Sequence, residues 1–235
     1  MKDLLIITPV KDSIETAQKA ISRICESKGK FTYRVYNDFS TAETRNVLQA
    51  NTFQGYQLIN IEDHIHTPSP NYRFTLRDAR ERAIEQDAGL LIVESDVFVE
   101  ADTISKLFDF ASSTVDCGMA AAITVDENGE INFPYQHIEP DGSEAMVSSH
   151  RLSFCCTLLT LPLLKKLNFE ELSDKKDWFD VQISKDSRNK GFTNYVLPNV
   201  KVLHLPHSSR PWKKLKYTNP VKYYLRKWFS GKDKI

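Results

Sequence analysis

Glycine is scarce in this sequence of 235 residues, at eight scattered positions. None forms the G-x-G-x-x-G or G-x-x-x-x-G-K-[ST] cluster that lets a backbone approach a phosphate, which argues against a Rossmann dehydrogenase and a P-loop NTPase. Cysteine is sparse as well: Cys25, Cys117, Cys155 and Cys156 include no C-x-x-C pair. Neither a zinc finger nor a disulfide framework is indicated, and reduced thiols are expected. Long apolar runs are missing. The longest candidate, Leu152–Leu164, is broken by Ser153, Thr157, Thr160 and Pro162. It falls short of the ~20 residues that a membrane-spanning helix needs. The opening run Leu4–Val10 is too short for the core and cleavage site of a signal peptide. These absences lead to the expectation of a cytoplasmic protein, attached at most peripherally to the inner face of a membrane.

Net charge is missing too, but only in the sum. Lys+Arg and Asp+Glu each number 31. From Arg210 onward there are nine basic residues and one acid, Asp233, whereas residues 1–209 hold 22 basic and 30 acidic residues. An acidic body with a basic tail predicts that the tail meets something anionic. Hydrophobic residues make up 41% and aromatics 11%, enough to bury a substantial core, so disorder is excluded.

The first half alternates strand and helix patterns. Leu4–Val10, Phe31–Asn37, Tyr56–Ile61 and Leu90–Val93 read as strands, the last continuously apolar and central. Asp12 with Glu15, and Ser40 with Glu43, resemble capping boxes that open helices to about Ser27 and Leu48. Further helices are expected over about Arg73–Asp87 and Ala101–Ser112. This repetition predicts an α/β fold, a mostly parallel sheet flanked by helices. After residue 117 the texture changes. Gly118–Val125, Asn128-Gly129 and Glu130–Pro134 predict a hairpin. Pro162 suits the start of a short helix, and Asp177–Lys190 a helix ended by Gly191. Two short strands follow, near Thr193–Leu197 and Lys201–Leu205.

Chemistry-bearing residues cluster at the expected strand ends. Leu90–Val93 runs directly into Glu94-Ser95-Asp96, at the carboxyl edge where open α/β sheets bind ligands. Two hard oxygen donors there suit Mg²⁺ or Mn²⁺ shared with a substrate phosphate; the same acids would also serve to solvate a strand end or cap a helix. Asp38 falls at the corresponding end of the second strand, as a partner for a base or ribose or as part of a cap. Arg73, Arg77 and Arg80 share one helical stripe suited to phosphate, with Asp78, Glu81 and Glu85 as alternative ion-pair partners. Asp177 and Asp180 flank Trp178 and Phe179, where partial desolvation favours a general base and where an acid also suits a helix N-terminus. His204, with His207 three residues on, offers an imidazole at a strand end, a metal ligand or a structural residue.

In this order the motifs resemble the family 2 glycosyltransferases of GT-A fold, over about residues 4–205. Ile7-Thr8-Pro9-Val10 is similar to their first strand, and Asn37-Asp38-Phe39-Ser40-Thr41 to their Asp-Asp-Gly-Ser-Thr. Ala79-Arg80 matches the Ala-Arg before the metal motif, Glu94-Ser95-Asp96 stands in place of Asp-x-Asp, Asp180 in place of the catalytic aspartate, and His204 in place of the late histidine. Asn37, Phe39, Glu81, Glu94 and Phe179 depart from the family pattern. The resemblance implies inverting transfer of a sugar from a UDP- or GDP-sugar to an acceptor hydroxyl on a glycan or lipid-linked saccharide. It further implies that Pro9, Asp38, Arg77, Arg80 and Ser95 serve donor binding, and that Glu94, Asp96 and His204 hold Mn²⁺ or Mg²⁺. Asp180 would be the base, with Asp177 as its substitute. Residues 1–209 would form one catalytic domain, with a donor half to about 116 and an acceptor half after it.

The tail, residues 210–235, places Val221, Tyr224, Leu225 and Trp228 on one helical stripe beside Lys222, Arg226 and Lys227. That pattern suits an anionic membrane face or docking on the acidic body. Nucleic acid is disfavoured, because no recognition motif is present and the body repels phosphate. Two other activities remain to be weighed. A sugar-phosphate nucleotidyltransferase would want a glycine-rich loop where Lys11-Asp12-Ser13 stands. A glycosyltransferase-like module that binds without catalysing would tolerate the changes at Glu94 and Phe179.

Overall fold

The computed structural model describes residues 3–140, 142–173, 178–205, and 221, 222 and 225. The chain divides into two units, Met1–Leu205 and Pro206–Ile235. Within the first, β1 (Asp3–Val10) leads to α1 (Ile14–Cys25), β2 (Thr32–Asn37), α2 (Ala42–Ala50), β3 (Gln57–Asn60), α3 (Tyr72–Glu85) and β4 (Ala88–Val93). Then follow β5 (Val97–Phe98), α4 (Thr103–Ser113), β6 (Cys117–Val125), β7 (Met146–Val147), β8 (Cys156–Leu159), α5 (Leu161–Lys166), α6 (Phe179–Asn189) and β9 (Thr193–His204). The sheet order is β3-β2-β1-β4-β8-β6-β9-β5, with β7 beside β9.

The half β3-β2-β1-β4 is wholly parallel, as is the long β6–β9 pairing. Strand β8 runs antiparallel between β4 and β6. Alternate β1 residues feed two cores. Leu4 and Ile6 pack with Ile21, Leu48 and Leu107 from α1, α2 and α4. Leu5 and Ile7 pack with Leu76, Leu163 and Ile183 from α3, α5 and α6. Two buried faces explain why these strands are apolar throughout rather than alternating. In α1 the buried residues Ala17, Ala20, Ile21 and Ile24 recur at helical spacing and turn one stripe to the sheet. Gly191, at φ +84°, ends α6 in the left-handed region that glycine enters without a Cβ penalty.

Four local expectations are corrected. Helix α1 begins after Ser13, which lies in the left-handed region and makes no side-chain cap. Asp12 instead accepts from the Thr41 backbone N–H at 2.8 Å, tying the loop after β1 to the loop after β2. The cap of α2 is Thr41, whose hydroxyl accepts from the Thr44 N–H, so Ser40 is free to accept from the Asp12 N–H at 2.9 Å. The hairpin after β6 has its turn, with Gly129 at φ +81°, but its return arm pairs only through the bridge Val125–Ile131. Pro134 follows closely and has no N–H for a ladder. The two expected C-terminal strands are one strand, β9, whose register against β6 jumps between Leu197 and Lys201. The jump spans Pro198, which bulges out where it cannot donate.

Asp177, His207 and, apart from Val221, Lys222 and Leu225, the tail segment lie outside the described residues. Those three tail positions are helical. Among the described residues no helix is long and apolar enough to cross a membrane.

Candidate active site

Strand β4 ends at Val93, and the chain turns through Glu94-Ser95-Asp96, closed by the Val97 N–H on the Glu94 carbonyl at 3.1 Å. Two neighbouring strands then supply partners from distant sequence. Strand β5 pairs antiparallel with β9, setting Val97 against His204, and the Leu205 N–H donates to the Asp96 carbonyl at 3.0 Å. On the other side, β8 sets Cys156 against Val93, and the Glu94 N–H donates to the Cys155 carbonyl at 3.0 Å. Glu94, Asp96, Cys155 and His204 are thus delivered to one edge by backbone ladders.

His204 is oriented from behind. Its Nδ1 lies 2.7 Å from the Phe133 carbonyl, which is held in turn by the Thr124 hydroxyl in the aborted hairpin. A carbonyl only accepts, so Nδ1 carries the proton and Nε2 is left toward the acids. That Nε2 lies 3.8 Å from Asp96 Oδ2, with His204 5% and Asp96 14% exposed. Ligand atoms of Glu94, Cys155 and His204 all lie within 4.8 Å of one another. Burial pushes the Glu94 carboxyl above the ordinary range, and the neighbouring Asp96 and Asp180 charges add to this against the pull of His204. Burial alone would lower His204, but Asp96, the Phe133 carbonyl and Glu94 outweigh it and raise its proton affinity. Anionic groups crowded into a poorly solvated edge in this way call for a cation.

Asp180 stands in the first turn of α6. Its Oδ1 accepts from the Val181 N–H at 2.9 Å, and its Oδ2 meets Arg151 Nη1 at 3.2 Å. The Arg151 guanidinium lies over the Trp178 ring, 4.9 Å from its centroid. The segment carrying Arg151 is pinned to α6 by the Arg188 bond to the His150 carbonyl and by the Leu152 N–H on Ser184 Oγ. Tyr135 holds its far end through the Ser153 N–H at 3.1 Å. A carboxylate fixed beside the acidic edge can accept a proton from a bound hydroxyl.

The donor-side expectations fall differently. Pro9 is opposite Tyr36 in the β1–β2 ladder, and Ser95 sits between the two acids. Asp38 follows β2 at the same sheet edge, but its carboxylate is engaged: Ser69 Oγ and the Asn71 N–H donate to Oδ2 at 2.7 and 2.9 Å, and Asn71 Nδ2 to Oδ1 at 2.9 Å. It fastens the loop that precedes α3. Arg77 pairs with Glu170, Arg73 donates to the Glu170 carbonyl, and Arg80 donates to the Leu164 carbonyl at 3.0 Å. Burial lowers the Arg80 pKa, and its guanidinium lies over Phe169. The arginine stripe therefore faces the segment after β8, while Glu94, Asp96, His204 and Asp180 come together. Phe39, where the resembled family has glycine, takes φ +54°, the left-handed backbone that glycine would supply without strain.

Cys155, Arg151 and the Phe133 carbonyl were not foreseen. The adjacent pair Cys155-Cys156 was the available signal for the first; nothing in the sequence marks the other two.

No family model and no curated protein sequence matches the chain. Solved structures do. The mannosyltransferase PcManGT from Pyrobaculum calidifontis, in complex with GDP-Man and Mn²⁺, superposes with a TM-score of 0.64 at 12% identity, over 95% of this chain and 63% of that one. S. aureus TarS 1-349 in complex with UDP gives 0.61 at 14%, over 92% and 64%. GalNAc-T7 with UDP, GalNAc and Mn²⁺ gives 0.65 at 10%, over 87% and 44%. The fold is that of GT-A-type glycosyltransferases. The chain spans less than two thirds of each of these neighbours.

The donor set fits a divalent ion, such as the Mn²⁺ present in the PcManGT and GalNAc-T7 structures. It combines two carboxylates with an imidazole whose second nitrogen is already committed to a carbonyl, the arrangement that prepares a histidine ligand.

Proposed function

We propose that this chain is a metal-dependent glycosyltransferase that moves a sugar, with inversion, from a UDP- or GDP-sugar to an acceptor hydroxyl. The observation that carries this reading is the convergence of Glu94, Asp96 and His204 at the sheet edge, with Asp180 near enough to raise the proton affinity of Glu94. In this reading Glu94, Asp96 and His204 hold Mn²⁺ or Mg²⁺. The ion, when bound, neutralises the diphosphate and stabilises the leaving charge. Asp38 keeps the loop before α3 in place on the nucleoside side, and Pro9 and Ser95 serve donor binding. Arg80, and Arg77 if it exchanges Glu170 for phosphate, add positive charge to the donor side. Asp180 takes the acceptor proton as that oxygen attacks the anomeric carbon, and Asp177 is the substitute base. The acceptor is a saccharide or lipid-linked saccharide, and the basic tail attaches the protein to an anionic membrane face.

The engagement of Asp38, Arg77 and Arg80 by protein partners favours one second reading, a glycosyltransferase-like module that binds without catalysing. Calorimetry with UDP and GDP, with and without Mn²⁺, tests the donor site, and release of nucleoside diphosphate from the corresponding sugars tests turnover. Metal-dependent nucleotide binding with turnover is expected. Binding without turnover would favour the module, and no metal-dependent binding would remove both.

A further inference from the structure

Cys155 lies at the metal edge without a part in the reading above. Its Sγ donates to Glu94 Oε2 at 3.4 Å and lies 3.3 Å from Ser153 Oγ. It belongs to the same group of potential ligand atoms as Glu94 and His204. The side chain is 1% exposed, and the backbone beneath it is locked to Glu94 by the ladder bond from the Glu94 N–H. The other thiols are differently placed. Burial pushes Cys155, Cys156 and Cys117 alike above the ordinary thiol range, so position and not proton affinity sets Cys155 apart. Only Cys155 belongs to a potential metal-binding cluster among the described residues.

We propose that Cys155 is a metal ligand, completing a sulfur–imidazole–carboxylate set with His204, Glu94 and Asp96 that selects a thiophilic divalent ion over Mg²⁺. This inference rests on the metal site proposed above and shifts its ion preference away from Mg²⁺. Mg²⁺ takes oxygen ligands and holds its waters tightly. A thiolate with an imidazole and carboxylates instead suits Zn²⁺ or Co²⁺, with Mn²⁺ the weaker member of the affinity series. On binding, the Sγ–H bond is exchanged for an Sγ–metal bond and the proton leaves to the buffer.

The test uses the full chain and Co²⁺ alone as probe, under reducing conditions. A sulfur-to-cobalt charge-transfer band is expected in the near ultraviolet, lost in Cys155→Ser while the weaker visible bands from the remaining ligands persist. The same variant should lose at least the ~10–100-fold in Zn²⁺ affinity that even an outer-shell partner is typically worth. X-ray absorption on the wild-type Co²⁺ complex needs no variant and should find one sulfur neighbour. Bound Co²⁺ with only nitrogen and oxygen neighbours would overturn the inference, as would a charge-transfer band unchanged in Cys155→Ser. Persistence of Mn²⁺-dependent UDP or GDP binding in that case would show that the donor site stands and only the cysteine ligand falls. Absence of both Co²⁺ binding and metal-dependent nucleotide binding would remove the two together.

Discussion

Replacing Asp180 with Asn separates chemistry from structure at the proposed base. The side chain is 13% exposed and meets Arg151 at 3.2 Å, and Oδ1 accepts from the Val181 N–H. Asparagine keeps an oxygen for Val181 but loses the charge opposite Arg151. A hydrogen bond to a charged group is worth about 1.5–3 kcal/mol, so this is the expected loss of stability. Arg151 retains its stacking on Trp178, and a loss of that size leaves most domains folded. The catalytic loss should be larger. General-base help is worth ~10²–10⁴ in rate, or about 2.7–5.4 kcal/mol of barrier. The assay is release of nucleoside diphosphate from UDP- and GDP-sugars, alongside calorimetry of UDP or GDP with Mn²⁺ and a urea titration. Turnover should fall by that factor while nucleotide affinity holds. Turnover near the wild-type level would refute the role of Asp180, and Asp177→Asn then becomes the decisive variant.

Gly118→Ala should cost about 1–3 kcal/mol in a urea titration, because a Cβ there would lie 2.6 Å from Phe192 Cβ and press on Ser187; unchanged stability would mean that α6 is free to yield. Metal affinity should rise with pH. The ion needs Glu94 ionised and His204 neutral, and both hold protons above their ordinary values of 4.5 and 6.5. Binding should therefore weaken as pH falls through the raised His204 range and weaken further through that of Glu94, and Mn²⁺ titrations that do not depend on pH would contradict the ligand set. Co-sedimentation with anionic vesicles should depend on residues 210–235. Equal recovery with and without them would exclude the tail as a membrane contact.

Much of the architecture is legible in local pattern. The continuously apolar Leu90–Val93 announces a central strand because both faces of β4 are covered, and the acids that follow must then emerge at its carboxyl edge. The errors arise where nonlocal bonds compete with local ones. Asp12 is a reasonable helix cap by spacing, yet its carboxylate accepts instead from the distant Thr41 N–H. Arg77 and Arg80 form a stripe, but a stripe has no direction until a neighbour covers it; Glu170 and the Leu164 carbonyl provide that neighbour. The family pattern drew attention to Asp180 but not to Arg151, because an ion pair between a loop and a helix turn leaves no periodic trace.

The sequence by itself determined the α/β class, the strand that carries Glu94 and Asp96, the candidacy of Asp180 and His204, and the charge division between body and tail. Each is written in residue type and short-range spacing. Only the tertiary structure decided what stands beside those residues. The antiparallel entry of β8 and the pairing of β5 with β9 bring Cys155 and His204 to Glu94 and Asp96, and a turn after β6 fixes the histidine proton through the Phe133 carbonyl. Strand partners are chosen by burial over the whole sheet, so the make-up of the edge was settled by packing far from the motifs themselves.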